Sequence, residues 1–211
     1  MHWKARTLRR LGGAIALWAG FCASVTISVL LARPSGTSAA LWTANGFLAG
    51  AIIVLRGRWR LATVAACLAA QLGIMFVVGD PPLQPFVYAA LNLVESALAA
   101  GLALKLCGLR ARRLSVLRLM RLLVMAVVPA AVLGGLASAV VNAVLFARDF
   151  GATWRDWTLA GGLGMSVVLP AVVLLSRGGQ YPEFRRSWLE IAGLLGATAG
   201  VAAMTFLQSH L

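Results

Sequence analysis

Acidic side chains are scarce in this chain: six Asp and Glu stand against nineteen Lys and Arg in 211 residues, with only two His and three Cys. The histidines, His2 and His210, sit at the extreme ends and supply neither a metal cluster nor a catalytic dyad. Cys22, Cys67 and Cys107 have no paired spacing, which argues against a disulfide framework and against a zinc site. A Ser–His pair, an HExxH helix, a phosphate-binding glycine loop and a run of carboxylates are all missing, so neither an enzyme active site nor a cofactor nor a metal is expected. Charge is short as a whole, at 12% against roughly 25% in soluble proteins. A water-soluble domain with 61% apolar residues would not stay in solution. The net charge of +13 invites a nucleic-acid reading, but the basic residues are scattered over short loops without a recognition motif, so nucleic acid is not an expected partner.

What the chain has instead is long apolar runs. Seven stretches read as membrane-spanning helices: Leu11–Leu31, Ala39–Leu55, Leu61–Val78, Phe86–Leu106, Leu122–Leu145, Trp157–Leu175 and Trp188–Leu207. Each is close to the ~20 residues that cover a hydrocarbon core about 30 Å thick. The expected fold is an all-α, polytopic membrane helix bundle forming one domain over residues 1–211. Lys4, Arg6, Arg9 and Arg10, then Arg56, Arg58 and Arg60, then Lys105 to Arg121, then Arg177, Arg185 and Arg186 fall in alternate gaps. Only Arg33, Arg148 and Arg155 remain for the other side, beside Asp80, Asp149 and Asp156. The positive-inside rule makes the rich side cytoplasmic and places the N-terminus inside a bacterial inner membrane. The first apolar run exceeds a secretory h-region and no cleavage site follows it, so it reads as a retained anchor.

Between spans four and five, Arg110, Arg113, Arg118 and Arg121 are spaced to share a face if the segment is helical. A short amphipathic helix at the inner leaflet, its guanidinium groups meeting anionic lipid, is one reading; a basic loop running into span five is the other. The external turns, such as Gly79-Asp80-Pro81-Pro82, are too short for a sensing domain, so a ligand arriving from outside would have to enter the bundle.

Glu95 is the one acidic residue near the middle of a span. A carboxyl there costs a few kcal/mol or more unless neutralised, paired or hydrated, so it should face protein. No Lys or Arg lies deep in a span to pair with it, and a neutral acid is expected. Asn92, three residues earlier, shares its helical face. Asn45, Gln71 and Asn142 could complete the patch. These groups either line a signal-binding pocket or act as interhelical glue. Trp42, Trp154 and Trp157 at external span ends, with Trp59 and Trp188 at internal ones, fit an aromatic belt, with ligand stacking as the rival reading. Gly46-x-x-x-Gly50 and Gly196-x-x-x-Gly200 permit close helix contact, within the chain or in a homodimer.

Three stretches resemble the membrane-associated sensor domains of type one. Leu41-Trp42-Thr43-Ala44-Asn45-Gly46, with the basic turn Arg56 to Arg60 after it, is similar to the family's Trp-Pro-Pro/Ala-x-Gly opening, although Thr43 replaces its proline. Asn92-Leu93-Val94-Glu95-Ser96 resembles an Asn-x-x-Glu-Ala helix. Trp157 to Gly164, ending at Pro170, looks like a Trp-x-x-Gly-Asp-x-x-Gly segment, but Gly161 and Gly162 occupy the stretch where the acid would be. The family usually has about eight spans and a cytoplasmic output domain: a diguanylate cyclase, a cyclic-di-GMP phosphodiesterase or a histidine kinase. The resemblance implies a non-enzymatic sensory input module, with a final span and an output domain missing after Leu211. The candidate signal-binding residues are Glu95, Asn92, Asn45, Trp42, Asn142 and Trp157, and the expected partners are the lipid bilayer, a small ligand or a membrane protein. A small-molecule transporter or substrate-capture subunit, and a structural protein that recruits a membrane partner, are the alternatives.

Overall fold

The computed structural model describes residues 2–32, 41–109 and 115–177. The chain divides into two compact units, Met1–Val173 and Leu174–Leu211, and the bundle belongs to the first. The described residues form only helices: α1 (His2–Ala32), α2 (Ala44–Val54), α3 (Arg58–Val78), α4 (Leu83–Leu106), α5 (Val116–Leu122), α6 (Val128–Phe146) and α7 (Phe150–Leu175). A π-helical turn, Leu123–Val127, joins α5 to α6 without a break. The N–H of Val128 reaches back five residues to the carbonyl of Leu123, and Pro129, which has no N–H to give, follows at once.

Five of these helices are long and apolar enough to cross a membrane, at Arg10–Leu30, Arg58–Val78, Leu83–Leu106, Leu117–Phe146 and Phe150–Leu175. The all-α membrane bundle is as expected; the count of seven spans is corrected among the described residues. The expected span Ala39–Leu55 contains only the 11-residue α2, a rod of about 16 Å. Leu41, Trp42 and Thr43 before it are not helical. The expected span Trp188–Leu207 lies outside the described residues, as do Arg33, Arg110, Arg113 and the Gly196/Gly200 pair.

Tertiary bonding explains why the second span is cut short. The N–H of Trp42 goes to the carbonyl of Ala160 on α7 at 3.0 Å, Ser28 on α1 donates to the carbonyl of Leu41 at 3.1 Å, and Ser24 on α1 bonds the hydroxyl of Thr43. Non-helical backbone at membrane depth is tolerated only where protein satisfies it in this way. From Ala44 onward α2 packs antiparallel to α1. Phe21 and Val25 meet Ala44 and Leu48, and Ala14 and Leu17 meet Ala51 and Leu55. The end of α2 therefore lies level with the early part of α1, and Arg56, Arg58 and Arg60 stay on the N-terminal side of the bundle.

Small residues let the elements approach. A Cβ on Gly46 would lie 2.6 Å from Val168 Cβ, and one on Gly50 2.5 Å from Val172 Cγ1, so this Gly-x-x-x-Gly pair seats α2 on α7 within one chain. Alanines dominate the facing surfaces of α4 and α6, with Ala99, Ala100, Ala103, Ala126, Ala130 and Ala131 all buried. Large apolar side chains such as Leu61, Val94, Leu133 and Leu163 point outward, as the lipid side of a bundle requires. At the end of α3 Gly79 takes φ 89°, and Asp80 N–H closes back on the Met75 carbonyl at 3.1 Å, a Schellman-type stop before two prolines.

Candidate functional site

Tyr88, Asn92 and Glu95 lie at i, i+4 and i+7 on one face of α4, and this face turns inward: Asn92 is buried and Glu95 has no exposed surface. Three elements, α2, α6 and α7, converge on Glu95 of α4. Its Oε2 accepts from Asn45 Nδ2 of α2 at 3.0 Å and from Trp157 Nε1 of α7 at 2.8 Å. Gly134 of α6 backs the side chain so closely that a Cβ there would lie 2.7 Å from Glu95 Cγ. Gly161 of α7 faces the other oxygen, and a Cβ on it would lie 2.7 Å from Oε1. That glycine stands in the stretch where the resemblance would place an acid, so the carboxyl of Glu95 meets a bare backbone and no second carboxyl.

The network extends in two directions. Toward α2, Trp42 Nε1 donates to Asn45 Oδ1 at 3.1 Å, and Ser96 Oγ donates to the Asn45 carbonyl at 3.3 Å. Toward α6, the ring of Tyr88 packs edge-on against Trp157 with centroids 5.4 Å apart, and its hydroxyl donates to Asn142 Oδ1 at 2.8 Å. Asn142 Nδ2 then donates to the carbonyl of Ser138 at 2.9 Å. Asn45 thus spends both ends of its amide, accepting from Trp42 and donating to Glu95, and it links the non-helical segment to the buried acid.

Of the residues expected at the site, Glu95, Asn45, Trp42 and Trp157 form one connected hydrogen-bonded group, and Asn142 joins it through Tyr88. Asn92 lies one turn from Glu95 with its Oδ1 buried and without a partner. Gln71 does not join: its Nε2 contacts Met75 Sδ within α3 at 3.9 Å. Trp42 and Trp157 bond inward to the site, which corrects their aromatic-belt placement, whereas Trp154 is 42% exposed and suits a belt. Tyr88, Ser96, Ser138 and Thr158 were not anticipated. The i, i+4, i+7 spacing on α4 was the available signal for Tyr88, and Ser138 one turn before Asn142 was the signal for Ser138.

Among the described residues around Glu95 no nucleophile stands beside a base. Among the described residues no group of three or more His, Cys, Asp or Glu could hold a metal. At the other end of the bundle Arg121 is exposed and Arg118 half-buried, on an α5 that runs straight into the spanning helix. Ser115 caps it, its Oγ accepting from the N–H of Arg118 at 3.4 Å.

Comparison with known proteins agrees with the motif order. No curated protein and no solved structure matches the chain. The profile of the MASE1 family matches residues 11–209, which takes in α2 to α7, all of α1 but its first nine residues, and the whole hydrogen-bonded group around Glu95. This multi-pass membrane chain belongs to the MASE1 family, the membrane sensor input domains of signalling proteins.

Proposed function

We propose that the junction around Glu95 is where this input domain receives its signal, and that the signal is passed to a cytoplasmic output domain attached beyond the bundle. The output is cyclic-di-GMP turnover or histidine phosphorylation, and the bundle sits in a bacterial inner membrane with its N-terminus inside. The observation that carries the reading is that one buried carboxyl bonds α2 and α7 at once while packed on α6. A change at Glu95 therefore shifts three elements together. A signal shifts the balance between two helix arrangements only if it binds them with different affinity, and the bonds from Asn45 and Trp157 to Glu95 are the ones such a shift would break. In the native full-length protein, Glu95→Gln should abolish the response of the output activity while insertion and abundance stay normal; an unchanged response removes Glu95 from signalling. The intact mass of the native protein tests the attached output: a species well above 22.1 kDa is expected. At the cytoplasmic end, Arg118 and Arg121, with Arg110 and Arg113, meet anionic headgroups, and weaker sedimentation with anionic than with neutral vesicles would contradict this.

One feature favours a second reading, a small-molecule transporter or capture subunit. The half-length α2, preceded by non-helical backbone inside the bundle, resembles the discontinuous helices that build substrate sites in transporters. Uptake of a solute into vesicles holding only this chain would establish that reading.

A further inference from the structure

Hydrogen bonding around Glu95 is lopsided. The side-chain nitrogens of Trp42, Asn45, Trp157 and Asn142 each donate to a protein acceptor. The buried atoms left without a partner in this region are all oxygens: Glu95 Oε1, Asn92 Oδ1, Ser138 Oγ and Thr158 Oγ1. The helix registers bring them together. Glu95 lies against Gly134, and Tyr88 bonds Asn142, so in this antiparallel pair Asn92 is level with Ser138. Thr158 packs against Gly135, one turn before Ser138, and it precedes by one turn the Gly161 that faces Glu95 Oε1. A carboxyl oxygen, an amide oxygen and two hydroxyls thus occupy adjacent turns of α4, α6 and α7, all withdrawn from solvent.

Such a set rejects an anion, because the carboxyl and amide oxygens can only repel one. It suits a hard cation, which takes carboxylate, carbonyl and hydroxyl oxygen. The side chains bonded to Glu95 are Asn45 from α2 and Trp157 from α7, Gly134 of α6 and Gly161 of α7 lie against it, and Tyr88 is a further titratable group on its helix face; none of them supplies a positive charge. An uncompensated carboxylate at this depth is costly.

Resting on the site reading above, we propose that the Glu95–Asn92–Ser138–Thr158 junction binds one exchangeable monovalent cation, a sodium ion or a proton, and that its occupancy is what the input domain reads. The positive charge neutralises Glu95, and loss of the cation drives the carboxyl to seek donors from neighbouring helices. The proton would reside on Oε1, since Oε2 already accepts twice. The sodium ion would use the other three oxygens as well.

The test is the unfolding midpoint of the whole chain in neutral detergent, followed by tryptophan emission. Sodium chloride is titrated against choline chloride at constant ionic strength, and pH is then varied in choline alone. A saturable rise with sodium but not choline, lost in Glu95→Gln and shifted to at least tenfold higher sodium in Thr158→Val, establishes a sodium site. A pH-dependent midpoint that sodium does not alter and Glu95→Gln removes establishes the proton. Thr158→Val keeps the carboxyl and the fold, so the test survives if Glu95→Gln fails to insert. A wild-type midpoint indifferent to both ions, or a sodium effect unchanged in both variants, overturns the proposal. If the ions have no effect while Glu95→Gln still silences the output in the native protein, the cation assignment falls and the signalling site stands.

Discussion

Trp42 is bonded to α7 through its backbone, its N–H reaching the carbonyl of Ala160 at 3.0 Å. The contact is possible because Gly164, one turn further along α7, has no side chain: a Cβ there would overlap the carbonyl of Trp42. Together these residues hold a non-helical segment of backbone inside a helical bundle and set where α2 begins. That start in turn aims Asn45 at Glu95.

Gly164→Ala should therefore be destabilising, by about 1–3 kcal/mol for forcing a methyl into a closed contact with backbone. Gly101→Ala on α4 is the matched control, because nothing lies within 4 Å of the added methyl. It should be neutral or stabilising by up to about 1 kcal/mol, the helix-propensity gain of alanine over glycine. Unfolding midpoints in detergent compare the two, and equal midpoints would mean that Trp42 is not held on α7.

Substitutions at Glu95 should separate the shape of the carboxyl from its charge. Glutamine keeps an oxygen that can accept from Asn45 and Trp157, and its structural cost should be about 1 kcal/mol or less. Alanine strands both N–H donors in a buried site and leaves a void, at about 2–5 kcal/mol. A Glu95→Ala protein as stable as Glu95→Gln would show that the two hydrogen bonds contribute little.

Tyr88→Phe tests the link from α4 to α6. The ring contact with Trp157 survives, but Asn142 Oδ1 loses its donor, at about 1–2 kcal/mol. If Tyr88 only fills space, the melting curve will not move.

Much of this bundle could be read from the sequence because membrane helices announce themselves by length and composition, and α3, α4, the α5–α6 helix and α7 fall where the apolar runs are. Asn92 and Glu95 could be paired for the same reason, since helical spacing is local. The start of α2 was not legible. Residues 39–55 are apolar enough to span, and what stops the helix at Ala44 is bonding to Ser24, Ser28 and Ala160, which are distant in sequence. The partners of Glu95 are equally nonlocal: Asn45 is 50 residues away and Trp157 62 residues away. Trp157 read as a belt residue because its apolar run begins there, whereas α7 starts seven residues earlier at Phe150, which carries the indole inward.

The orientation can be checked with single cysteines. Arg58→Cys, at the start of α3, should react with a membrane-impermeant maleimide only after the cells are opened, and Asp80→Cys, after α3, should react in intact cells. Arg58 is exposed and Asp80 is half-buried in the turn after α3. Reaction of both from the same side would mean that α3 does not cross.

Cys107 gives a pH test at the C-terminal end of α4, just beyond the spanning helix. Its thiol is 1% exposed, and burial pushes its pKa above that of an ordinary cysteine, with the Arg121 guanidinium pulling partly the other way. The thiolate is the reactive species, so a raised pKa means that alkylation is slow at neutral pH and keeps accelerating with pH after a free thiol has levelled off. Removing the positive charge in Arg121→Ala should move the profile further toward high pH, because the thiolate then loses its only favourable charge partner among those acting on it. Rates of alkylation by a small neutral reagent across the alkaline range, in wild type and Arg121→Ala, measure both effects. A profile that levels off no later than free cysteine, or one that Arg121→Ala shifts toward low pH, would contradict the burial of Cys107 in the cluster with Leu122 at the end of α5.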